Sequence, residues 1–221
     1  VLPSTKNKVR LLSIASKIID TPKNITEKLV QADKIENPNE DLLYLEFVLC
    51  HEGANENRDG FLLSELQDNV NTVKFKDLNV EHSDRIVGCI YDGVLIEKEA
   101  DASYAFQGGF RPHIVCSAVV YQFKFPEVAQ DLRDKHGMGN LRFSMETWYT
   151  SAQCSECDES FEAGTDYCDH LNNRFTQGSA VTRWLRGITF GGAGIVENPA
   201  DPDASSISLA EAEKNPKTII C

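Results

Sequence analysis

A serine and a histidine, each set in a strand-like segment, are the residues of this chain best suited to covalent chemistry. Ser144 stands in Leu141-Arg142-Phe143-Ser144-Met145-Glu146, and His82 in Asn79-Val80-Glu81-His82-Ser83-Asp84. A serine hydroxyl is a poor nucleophile at neutral pH and needs a base, such as a neutral imidazole, within hydrogen-bond reach. Phe143 and Met145 would take one face of a strand and Ser144 the other. His82 precedes a charged turn, which would set its ring at the mouth of a cleft. By spacing alone, the two also fit an ordinary strand serine and a strand-end histidine.

A second constellation is Cys154-Ser155-Glu156-Cys157 followed by Cys168-Asp169-His170. Zinc prefers four thiolate or imidazole ligands in a tetrahedron, and C-x2-C is a common first half of such a site. The polar stretch between the two halves carries Gly164 for a turn and has no core of its own. Metal binding would supply one, because its free energy becomes folding free energy. The expectation is a closed, structural Cys3His zinc site; the alternative is a surface loop with incidental thiols. Cys50, Cys89 and Cys116 lie in apolar runs and read as small core hydrophobes. Gly191-Gly192, with Arg186 nearby, is a candidate oxyanion-binding passage, although such glycines more often mark a bulge or tight crossing. His51, His113 and His136 read as structural or solvent-facing.

The elements that must position these residues follow from periodicity and turn chemistry. Val9–Ile19 has helical spacing, and a second short helix would begin near Asn24; a polar stretch then runs from Asp33 to Asp41. Leu42–Cys50 reads as a buried strand. Helical spacing returns over Phe61–Val70. Strands are expected over Val73–Glu81, Ile86–Glu97, Arg111–Phe123 and Leu141–Thr150, with a helix opened by Pro126 before the last. Val181–Leu185 and the glycine-rich passage 187–194 follow, and beyond Pro202 the chain reads as weakly structured or helical. The fold class is α+β, with a mainly antiparallel core. The expected organisation is an N-terminal helical arm (1–41), a main domain (42–204) with a cysteine-rich insert (151–175), and a tail (205–221).

Composition narrows the function. The chain has 221 residues and a formal charge of −12, which argues against a phosphate-binding surface and hence against nucleic acid as a partner. No apolar run approaches the ~18–20 residues of a membrane span, and the chain reads as cytosolic.

The order of motifs carries a further expectation. A loop rich in Asn and Asp (His51-Glu52-Gly53-Ala54-Asn55-Glu56-Asn57-Arg58-Asp59-Gly60) precedes a helix. Leu78-Asn79-Val80-Glu81-His82 and Ile86-Val87-Gly88 come next, then Phe143-Ser144-Met145, and last Gly194-Ile195-Val196-Glu197-Asn198-Pro199-Ala200-Asp201-Pro202-Asp203-Ala204. This series, spanning about residues 42–204, resembles the phage prohead proteases, capsid-maturation serine peptidases that share the fold of herpesvirus assemblins. The resemblance implies a β-barrel-like core with surrounding helices, Ser144 as nucleophile and His82 as base. It implies the major capsid protein and scaffold protein as substrates, action inside the immature prohead in the host cytoplasm, and it admits a homodimer. Many such proteases carry an acid where this chain has Gly192. The third catalytic role is therefore open between Glu197 and His170, the latter also claimed by the metal site. Gly192 equally suits an inactive, scaffold-associated protein of the same fold.

Overall fold

The computed structural model describes residues 39–102, 109–176 and 180–211. The expected helices near Val9–Ile19 and Asn24, together with most of the N-terminal arm, lie outside these residues. So does Cys221.

Seven strands form the main sheet: β1 (Leu43–His51), β4 (Lys76–Val80), β5 (Ile86–Ile96), β6 (His113–Val120), β7 (Arg142–Trp148), β11 (Thr189–Val196) and β12 (Ser206–Glu211). Their spatial order is β12-β1-β6-β5-β4-β11-β7. All neighbours are antiparallel except β4 and β11. The sheet curls into a half-barrel. Its two ends approach one another through a bridge between Arg142 and Ser205 and a Phe143 N–H donated to the Ala204 carbonyl at 2.9 Å. Inside the curl, the Phe47 and Phe143 rings stack at 3.9 Å, joining β1 to β7.

Side-chain chemistry accounts for this arrangement. β1 is buried at every position except Tyr44, as expected of a strand with neighbours on both edges and a packed interior. Its one acid, Glu46, is buried and accepts a hydrogen bond from the Ser208 hydroxyl at 2.9 Å. Gly88 lets β5 and β6 close up, since a Cβ there would meet the Val119 carbonyl oxygen at 2.0 Å. Helix α1 (Leu63–Asn69) seats Leu66 in the core and passes into a 3-10 turn (Val70–Val73). Helix α2 (Pro126–Gly137) has proline in its first turn, where a missing N–H costs nothing, and buries Val128, Ala129 and Leu132. The valine and leucine side chains each contribute about 1.5–3 kcal/mol on full burial.

A second, five-stranded sheet has the order β2-β3-β10-β8-β9. It comprises β2 (Gly53–Ala54), β3 (Asp59–Phe61), β8 (Ser151–Cys154), β9 (Ser160–Glu162) and β10 (Arg183–Arg186). The cysteine-rich insert is thus woven into a sheet with residues from 53 to 61. It also has a small apolar cluster of its own, Cys154, Leu171 and Val181 with Phe161 and Tyr167 against it, contrary to expectation. A short helix α3 (Asp169–Asn172) completes it.

The architecture is α+β and mostly strand, as composition and periodicity suggest. Three expectations change. Val73 belongs to the 3-10 turn, Phe61 ends a strand rather than opening a helix, and residues 206–211 form edge strand β12 on β1. Among the described residues, no helix is long and apolar enough to cross a membrane.

Candidate active site and metal centre

His82 is delivered by the tight connection between β4 and β5. The Glu81 N–H donates to the Ile195 carbonyl at 3.0 Å, tying the turn to β11, and the Ser83 N–H donates to Val80 at 3.1 Å. Glu81 and His82 both have φ of +52°, the left-handed region that non-glycine residues rarely enter. Two such residues in succession cost on the order of 1–3 kcal/mol each. In return, the chain reverses and the imidazole folds back over β11.

The β11 residue beneath the ring is Gly194. A Cβ on Gly194 would meet both Cε1 and Nδ1 of His82 at 3.0 Å. Register places Ser144 of β7 directly opposite Gly194, and Asn79 of β4 on its other side. Serine, glycine and asparagine therefore form one row across three strands. The next row is Glu146, Gly192 and Asp77. Phe143 is fully buried and Met145 packs against the core, so Ser144 and Glu146 share the opposite face.

Glu146 reaches from its row to the histidine. Its Oε1 lies 3.0 Å from His82 Nδ1 and accepts from Asn79 Nδ2 at 2.6 Å. A carboxylate only accepts, so Nδ1 is the donor in this contact. The other oxygen, Oε2, covers Gly192, where a Cβ would meet it at 2.9 Å and the Asp77 carbonyl at 2.8 Å. Gly192 and Gly194 thus form a close floor, at which a Cβ would meet backbone at 192 and crowd the His82 ring at 194.

The carboxylate bonded to His82 is Glu146, and not Glu197. Glu197 lies exposed beyond the end of β11, its backbone N–H donated to the Glu81 carboxylate at 2.9 Å. Glycine at position 192 is met by its cross-strand partner, whose carboxylate lies over it. The sequence did carry a signal for Glu146: it stands two residues after Ser144, on the same strand face. His170 belongs to the cysteine cluster and not to His82. Arg186 sits on β10 of the second sheet, donating to Gln153 at 2.7 Å, and Gly191 is the extra residue of a bulge in β11.

In the second sheet, the ligand atoms of Cys154, Cys157, Cys168 and His170 all lie within 4.8 Å of one another. The Cys157 and Cys168 sulfurs are 3.7 Å apart, close to the edge of about 3.8 Å expected of a tetrahedron with Zn–S bonds of ~2.3 Å. Cys154 Sγ accepts from the Glu156 N–H at 3.4 Å. Burial works against ionising this thiol, but N–H groups of Cys157 and Glu156 and the Cys168 and Cys157 thiols outweigh it and lower its pKa. Three sulfurs and one imidazole, with one thiol biased toward thiolate, can hold a metal ion.

A third cluster lies where β1 ends. His51 Nδ1 is 2.7 Å from Asp201 Oδ2, and both are buried. The Asp201 carboxylate also accepts the His51 backbone N–H at 3.1 Å. Burial alone would raise the Asp201 pKa, but the His51 hydrogen bond and charge outweigh it and hold it below the ordinary value. Arg111 lies 2.8 Å from Asp203 and 3.9 Å from Asp201, so these acids already face a cation. His113, opposite His51 across the sheet, is lowered to about 4, chiefly by burial. His136 donates to or accepts from the Ser206 hydroxyl at 2.8 Å. All three remaining histidines thus have partners that the sequence did not reveal. Comparison of the chain with known protein families, curated proteins and solved structures finds no match to any of them.

Proposed function

We propose that this protein is a serine endopeptidase of the prohead-protease type, with an assemblin-like fold. The observation that carries this reading is the convergence on one strand face of Ser144, His82 over Gly194, and Glu146 hydrogen-bonded to His82. His82 Nε2 takes the Ser144 proton as Oγ attacks the scissile carbonyl. Glu146 holds the Nδ1 tautomer and stabilises the imidazolium that forms. His82 then passes its proton to the leaving amine, and water, activated by the same nitrogen, hydrolyses the acyl-enzyme. The substrates are scaffold and capsid-protein propeptides, and this chain itself, within the immature prohead.

The rival reading, an inactive scaffold-associated protein, rested on glycine at position 192; Glu146 beside His82 offers a carboxylate and so supports the active reading. Cys154, Cys157, Cys168 and His170 would hold a structural Zn2+, which supplies folding free energy to the insert. No step of peptide hydrolysis involves it.

Co-expression with the capsid and scaffold proteins tests both halves. Unaltered chain should process them, and Ser144→Ala should not; processing that survives Ser144→Ala eliminates the serine mechanism. One zinc per chain should be found by elemental analysis, and Cys154→Ser should lose it. Metal-free protein as stable as the unaltered chain would refute the structural zinc.

A further inference from the structure

We propose that Asn79 is a positioning residue for the proposed dyad, acting through Glu146. This rests on the endopeptidase reading and adds a fourth member to it. Asn79 is only 4% exposed, yet its neighbours on β4 and β11, Leu78 and Ala193, build an apolar core. Its Nδ2 donates to Glu146 Oε1 at 2.6 Å, the same oxygen that lies 3.0 Å from His82 Nδ1. Its Oδ1 is buried and meets no hydrogen-bond partner among the described residues. An unpaired buried carbonyl is destabilising, and an apolar side chain of similar shape would avoid the cost. The amide is therefore poorly explained by stability.

Its geometry explains it better. The Glu146 side chain is 34% exposed, so solvent competes for its carboxylate. One rigid donor from below fixes Oε1 at the point where it must receive Nδ1–H. The amide is itself buried, on a residue that follows an irregularity in the β4–β5 pairing and lies beside Gly194. The Gly194 Cβ position is 3.2 Å from Asn79 Oδ1 and 3.0 Å from the His82 ring, so amide and imidazole flank one glycine. His82, Glu146 and Asn79 then form a single chain of hydrogen bonds, with Ser144 in the row beside Gly194.

The test uses the full chain and a fluorophosphonate probe, which reports on the Ser144 nucleophile without a natural substrate. The inactivation rate (kinact) and probe affinity (KI) are measured separately for unaltered chain, Asn79→Ala, Glu146→Gln and the double variant. Asn79→Ala should lower kinact by about 10²-fold, the scale of a misplaced catalytic group, with KI unchanged. In the Glu146→Gln background, the same substitution should change kinact less than about threefold, because its effect passes through the missing carboxylate. Asn79→Asp, which keeps the shape, should show the same loss by repelling Glu146 and covers the case in which Asn79→Ala does not fold. Equal kinact in a folded Asn79→Ala or Asn79→Asp, or a full additive loss in the double variant, overturns the role of Asn79 alone. Failure of the probe to label Ser144 in the unaltered chain overturns the endopeptidase reading and this role with it.

Discussion

Two histidine–carboxylate pairs occupy this sheet, and they differ in nearly every respect but chemistry. His51 and Asp201 approach to 2.7 Å with side chains 1% and 9% exposed, while His82 and Glu146 stand 3.0 Å apart at 40% and 34%. The shorter, drier pair also takes a backbone N–H and lies beside the Arg111 guanidinium. Its contacts tie the β11–β12 connection to the end of β1. The looser pair sits on a floor of glycines beside a serine, with its ring held by a strained turn. Tight burial suits a clamp; a base must exchange protons with substrate and water, and this requires an open edge.

The comparison can be broken most severely at Glu146. On the proposed endopeptidase reading, Glu146→Gln should lower turnover by about 10⁴-fold, as loss of the acid does in hydrolytic triads. Its unfolding free energy from urea denaturation should stay within about 0.5 kcal/mol of the unaltered chain, as for a partly exposed site. A large loss of stability there would make both pairs structural.

Asp201→Asn should do the reverse. Removing one partner of a buried pair costs about 3 kcal/mol, visible in urea unfolding at pH 7, while residual folded protein keeps its turnover. The sign with pH follows from the depressed carboxyl. Its contribution is complete above the unfolded value of ~3.9 and is lost as pH falls through the lower folded value, so the two chains should converge in stability below that point. A stability gap that persists under strong acid would show that Asp201 acts by shape rather than charge.

Gly194→Ala tests the floor. The added methyl would meet the His82 ring at 3.0 Å, tight enough to displace it, and turnover should fall about 10-fold or more with little change in thermal unfolding. The smallest effect belongs to Glu197→Gln, where turnover should stay within about twofold, since surface substitutions away from a site are nearly neutral. A loss matching that of Glu146→Gln would return the acid's role to position 197.

Much of the fold was legible beforehand because its signals are local. The uninterrupted apolar run of β1, Pro126 at the head of α2 and the alternation around Phe143 each mark their element. β12 was not legible. Its Ser-Ile-Ser-Leu-Ala-Glu alternation is short and mixed with good helix formers, and it becomes a strand because the β1 edge supplies partners. The cysteine spacing pointed to a cluster, and the four ligand atoms do converge. The insert's place in a sheet with residues 53–61 had no local signal.

Sequence by itself determined the strand face of Ser144 and the metal-suited spacing of the cysteines, while it pointed to Glu197 or His170 rather than Glu146 for the acid. Ser144 and Glu146 share a face because the strand period is two, whatever the strand packs against. Tertiary structure decided which of these residues meet. Register between β7 and β11 sets Ser144 opposite Gly194 and Glu146 opposite Gly192. A left-handed turn then brings His82 across from another strand. A carboxylate finds its histidine through strand pairing between residues 64 positions apart, and such pairing follows from packing of the whole sheet rather than from any local pattern.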